Sequence, residues 1–214
     1  MKGQFLNKAF HTLTEAFQNC LKRFPTTVCF VLALTAYLAY LVSTEMDDEK
    51  KLTLVLGYYF SVGTLLSLTL HLWNEEIKNR IKGISVHIVM HVLLIADAVY
   101  LYSLSPERSL TEISIAHGAA ILALWLSVFF LSFTQEKNDI PSWNFASYTV
   151  GAFVTANVVG LIMSGGISLL VFSLHQLFDV DVSWKCYLYI LVVCSVLLPM
   201  LLFLGMLPKN KLKH

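Results

Sequence analysis

The stretch FASYTVGAFVTANVVGLIMSGGISLLVFSLHQLF, residues 145–178, decides how many times the chain crosses a membrane. It holds no Asp, Glu, Lys or Arg over 34 residues. A straight helix of that length measures about 51 Å, against a hydrocarbon core of about 30 Å. Two spans would leave no room for a turn between them. The expectation is one span over 145–165, broken or bent at Gly165-Gly166. Residues 167–178 then project, or lie along the far surface.

The same logic extends outward. The chain has 214 residues, 57% hydrophobic and 14% charged. Soluble domains are nearer half apolar and a quarter charged. The apolar residues gather in runs of membrane-spanning length, which leaves no separate soluble domain. Spans are expected at about 26–43, 52–73, 84–103, 112–133, 145–165 and 184–207 within a domain of residues 25–208. Ser109 and Glu112 have capping-box spacing before the fourth. Pro25 and Pro141 suit first helical turns, where a missing N–H costs nothing. About 25 residues precede the first run, unlike the short charged leader of a signal peptide, so that run reads as a retained span.

In residues 1–24, Leu6, Phe10, Leu13, Phe17, Leu21 and Phe24 recur at three- and four-residue steps, one face of a helix. Lys2, Lys8, Glu15, Gln18, Asn19 and Lys22 occupy the other faces. The pattern predicts an amphipathic helix lying in the membrane interface; a helix packed on a partner domain is the alternative. Residues 209–214 form a basic tail. The fold class is therefore an all-α integral membrane protein, a six-helix transmembrane bundle with an N-terminal interfacial helix.

Positive charge predicts the orientation. With six spans, 11 Lys and Arg fall on the side of both termini and 4 on the other. Splitting 145–178 into two spans gives 9 against 6. The expected solution puts both termini in the cytoplasm. Net charge is +1, with basic residues scattered at span ends, so nucleic acid is not an expected partner. Cys20, Cys29, Cys186 and Cys194 have no metal or redox spacing and read as small apolar residues.

Polar residues inside spans carry the functional question. The third span contains HIVMHVLLIADAVY, residues 87–100. His87 and His91 share a helix face at i, i+4, as metal-binding histidines do, but Ile88 stands where a metalloprotease needs glutamate. Both lie toward the cytoplasmic edge. Asp97 lies deeper, roughly 20 Å from that edge, where a carboxylate is costly and faces protein or water. His117, Asn157 and Tyr58, from three other spans, lie at similar depth. Two readings stay open for this layer: interhelical hydrogen bonding that holds the bundle together, or a proton or ion site in which Asp97 titrates near a histidine. A stripe of small residues, Ala152, Ala156, Gly160 and Ser164, continued by Ser168, would let a neighbouring helix approach closely; Ala119, Ala123 and Ser127 form another.

The phrases LKRFPTTVCFVLALT (21–35), HGAAILALWLSVFF (117–130), GGISLLVFSLHQLF (165–178) and LLPMLLFLGMLPK (197–209) resemble a bacterial family of multi-pass inner-membrane proteins known as domain of unknown function 4153. The resemblance covers most of the chain. It implies a bacterial inner-membrane location and a chain that is the N-terminal membrane part of a longer protein. It brings no activity and no catalytic residue.

The leading expectation is a non-enzymatic membrane module, a scaffold or the membrane part of a transport or signalling system, with no cofactor. Its partners would be the lipid bilayer and a second copy or another membrane protein. The rivals are a proton-coupled permease built on Asp97 and His117, and a membrane hydrolase with a metal on His87 and His91.

Overall fold

The structure, a computed structural model, describes residues 20–44, 50–75, 80–104, 106–130 and 140–208. The expected interfacial helix falls almost wholly outside the described residues, as does the basic tail; 20–23 are helical. Seven α-helices follow: α1 (Pro25–Ser43), α2 (Lys50–Asn74), α3 (Arg80–Ser103), α4 (Pro106–Phe130), α5 (Ile140–Phe178), α6 (Trp184–Val192) and α7 (Leu198–Met206). A π-helical segment, Val193–Leu197, joins the last two into one span. Six spans are long and apolar enough to cross a bilayer. The molecule is an all-α, multi-pass membrane bundle.

Two boundaries differ from the sequence reading. α4 starts at Pro106, ahead of the expected start at 112, because Pro at the first helical position is already suited to a helix start. More consequentially, α5 runs unbroken for 39 residues through Gly165-Gly166. Each glycine costs a helix interior about 0.5–1 kcal/mol relative to alanine. A break would leave backbone donors and acceptors unpaired at each new helix end. Continuity wins. The helix ends at Asp179, whose φ of 49° supplies the left-handed residue that stops a helix. Residues 167–178 are thus part of the fifth helix.

α2 is the centre of the bundle, packed against α1, α3 and α4. It is half buried, whereas α3 and α4 are largely exposed on their outer faces, as lipid-facing helices are. α5 packs mainly on α7 and the π segment, and the π segment and α6 return to touch α1. One core gathers Phe24, Val28, Leu68, Leu72, Phe145 and Leu204 from α1, α2, α5 and α7. A second gathers Val55, Tyr58, Val62, Leu94, Leu101 and Ile113 from α2, α3 and α4.

Three cations join helix ends. Arg23 donates to both carboxylate oxygens of Glu75, at 2.8 and 2.9 Å, and to the carbonyls of Leu207 and Pro208, at 2.8 and 2.9 Å. At the opposite face, Lys185 donates to Ser43 O at 3.1 Å, and Lys51 donates to Leu104 O. Each cation satisfies a carbonyl at the end of α7, α1 or α3, where the helix leaves acceptors unpaired and carries partial negative charge. Residue 23 and residues 207–208 therefore lie on one face of the bundle.

Candidate functional site

α2 positions the polar layer. Tyr58 and Ser61 are one turn apart on it, facing α3 and α4. The Tyr58 hydroxyl donates to the Asp97 carboxylate on α3. Ser61 Oγ and His117 Nε2 on α4 share a hydrogen bond at 2.9 Å. The His117 ring meets the Tyr58 ring edge-on, with centroids 5.6 Å apart. Tyr58 is 4% exposed, so its ring fills the space between the two ionisable side chains. Asp97 and His117 do not pair directly. Each is held by α2.

Of the four residues expected in this layer, the structure brings together Tyr58, Asp97 and His117. Asn157 is elsewhere: its amide donates to Phe153 O of its own helix at 2.8 Å. Depth put it at the right level, but α5 makes its main contacts with α7 and the π segment, away from α3. Ser61 was missed. Its signal was present, since i+3 from Tyr58 on a helix is the adjacent position.

Similar bonds continue along α2. Ser67 Oγ donates to Thr26 Oγ1 at 2.8 Å, and Thr27 donates to Ser67 at 3.4 Å. Ser127 on α4 donates to Thr69 at 3.4 Å. Every helix packed on α2 is thus reached by a hydroxyl-bearing side chain.

His87 and His91 stack face to face, centroids 4.6 Å apart and 7° from parallel. A chelating pair would aim ring nitrogens at one point, and parallel rings do not. His91 Nδ1 donates to His87 O at 2.9 Å, while its Nε2 is buried without a partner. Phe30 of α1 lies against the His91 ring at 5.4 Å, reaching it over Gly63, where a Cβ would fall 2.5 Å from the Phe30 ring. Among the described residues no group of three His, Cys, Asp or Glu could hold a metal.

The small-residue stripe divides. Ala152, Ala156 and Gly160 are buried, and Gly160 sits against Pro199 and the Cys194 carbonyl. Ser164 and Ser168 are only half buried, and Gly165 and Gly166 face open space. Cys20 and Cys194 are buried, and burial pushes the Cys20 thiol up to about 11. Cys29, read from the sequence as a small apolar residue, is exposed on α1, because an apolar span fixes depth and not direction.

The fold and this layer define a class, the polytopic helical membrane proteins with a hydrogen-bonded core. No family model, curated protein or solved structure matches the chain.

Proposed function

We propose that this chain is a non-enzymatic membrane module, a scaffold or the membrane part of a transport or signalling system, in the bacterial inner membrane. The observation that carries the reading is the occupation of the layer: Asp97 and His117 are each committed to a side chain of the central helix. A carboxylate in a span is normally a functional pointer. Here it has a structural task, holding α3 to α2. The charge asymmetry of 11 against 4 supports cytoplasmic termini, and the resemblance to domain of unknown function 4153 supports the inner membrane. The module works beside another membrane protein or a second copy of itself.

A double-mutant cycle tests this. Tyr58→Phe strands the Asp97 carboxylate and is expected to lower stability by about 1–3 kcal/mol in detergent. Asp97→Ala with Tyr58→Phe should cost less than the two single changes summed, with a coupling of about 1 kcal/mol. If Tyr58→Phe and Asp97→Asn both melt with wild type, the carboxylate is not there for folding.

That result would turn attention to the second reading, a proton-coupled permease, favoured by the contact of Tyr58 with both Asp97 and His117. It requires proton flux in proteoliposomes that Asp97→Asn abolishes.

A further inference from the structure

Neither role of the polar layer involves the stacked histidines of α3. His91 Nδ1 donates to the His87 carbonyl, so in the neutral ring Nε2 carries the free lone pair. That atom is buried and has no hydrogen-bond partner. Buried polar atoms are nearly always paired. Two rings pack on His91: His87, stacked at 4.6 Å, and Phe30 of α1, at 5.4 Å. Phe30 gets there by crossing α2 at Gly63, where a Cβ would fall 2.5 Å from its ring. An aromatic contact laid over the central helix thus ties α1 to α3.

A proton on Nε2 is incompatible with this packing. It makes the buried nitrogen a charged donor with no acceptor beside it. It also sets a cation against the His87 ring, and two charged imidazoles at stacking distance repel. A cation–π contact with Phe30 offsets only part of these costs. We infer that His91 is a proton-operated latch: neutral, it holds Phe30 and so α1 against α3; protonated, it leaves its seat and lets Phe30 go. Protons reach it from the face of the Arg23 clamp. His87, half buried and one turn nearer that face, interacts electrostatically with His71 as well as with His91. His71 Nε2 in turn lies 3.9 Å from Glu75, whose side chain is 37% exposed. Among the described residues, α1 adds Cys29, next to Phe30 in sequence, and α2 adds Tyr59, whose ring lies 5.9 Å from Phe30. α3 adds exposed Lys82, and Asp97 bonded to Tyr58; α4 adds His117, bonded to Ser61. None of these offers Nε2 an acceptor. The latch governs how α1 sits, and stands or falls apart from the Asp97 layer.

NMR of the full chain in detergent, with labelled histidine and phenylalanine, tests the latch from about pH 8 to about pH 5, either side of an ordinary histidine. At the upper end His91 is expected neutral, with its proton on Nδ1 and cross-peaks to Phe30. As the ring takes its second proton, those cross-peaks should fade in the same step. Linkage then fixes the sign of a variant: if protonation releases Phe30, removing the contact must favour protonation. Phe30→Leu should raise the proton affinity of His91 about fivefold or more. Should it not fold, Gly63→Ala displaces the Phe30 ring and carries the same expectation. His91→Phe keeps a ring in place without a proton site and should make the Phe30 contact independent of pH. The latch is overturned if His91 takes up its proton with Phe30 still in contact, or stays neutral throughout that range. An unchanged or lower proton affinity in Phe30→Leu overturns it too, the lower value marking Phe30 as a cation–π support. So does opening on acidification in His91→Phe, which would assign the movement to His71 or Glu75.

Discussion

Thr149 is wholly buried, and its hydroxyl has no hydrogen bond. It lines a cavity of about 20 Å³ together with Leu68, Trp125, Phe153 and Phe203, where α2, α4, α5 and α7 meet. An orphaned buried hydroxyl costs about 1–3 kcal/mol. Thr149→Val keeps the shape and removes the orphan, so it should raise Tm, by about 1 kcal/mol of stability in thermal melts. A lower Tm would mean instead that a water, for which the space is about sufficient, is bound to the hydroxyl. Thr149 also shows what sequence reading reaches at this scale. Hydropathy gives the depth of a side chain and leaves its direction open. Tyr58, Asp97 and His117 were legible as one layer because depth alone aligned them; Asn157 was placed there on the same ground and turned out to bond its own backbone.

At the scale of the element, Gly160 and the π segment act together. Pro199 has no N–H to offer the preceding turn, and the helix accommodates it with wider turns at Val193–Leu197. The resulting bulge meets α5 at Gly160, where a Cβ would lie 2.4 Å from the Pro199 ring and 2.5 Å from Cys194 O. Neither a ring nor a carbonyl can swing aside. Gly160→Ala is therefore expected to cost about 1–3 kcal/mol through overpacking. Gly165→Ala has open space and should be neutral or stabilise by up to about 1 kcal/mol. Matched melts of the two variants check the pair, and equal effects would contradict this packing. The apolar runs made every span legible. The unbroken course of α5 was not, because the break was expected from its length against the bilayer, and a long helix can tilt or project beyond the core instead.

Across the whole molecule, Arg23 holds the bundle shut at one face. Its side chain is 13% exposed and makes four hydrogen bonds to two different helix ends. Arg23→Gln should lower stability by about 2–3 kcal/mol. Arg23→Lys should recover only part, since an ammonium cannot reproduce the planar fork; chemical unfolding of the three proteins measures both. Nothing in the sequence singled out Arg23 beyond its place in the charge count, because its partners are distant in the chain.

That distance has a consequence for how the protein is made. Leu207 lies 184 residues after Arg23, so one half of the guanidinium's hydrogen bonds forms only once the sixth span has emerged. During synthesis the arginine can engage Glu75 once α2 is in place, but its two carbonyl partners do not yet exist. A chain stalled before α7 leaves the Arg23 guanidinium without its two carbonyl acceptors. That unmet guanidinium would distinguish chains that have inserted α7 from those that have not.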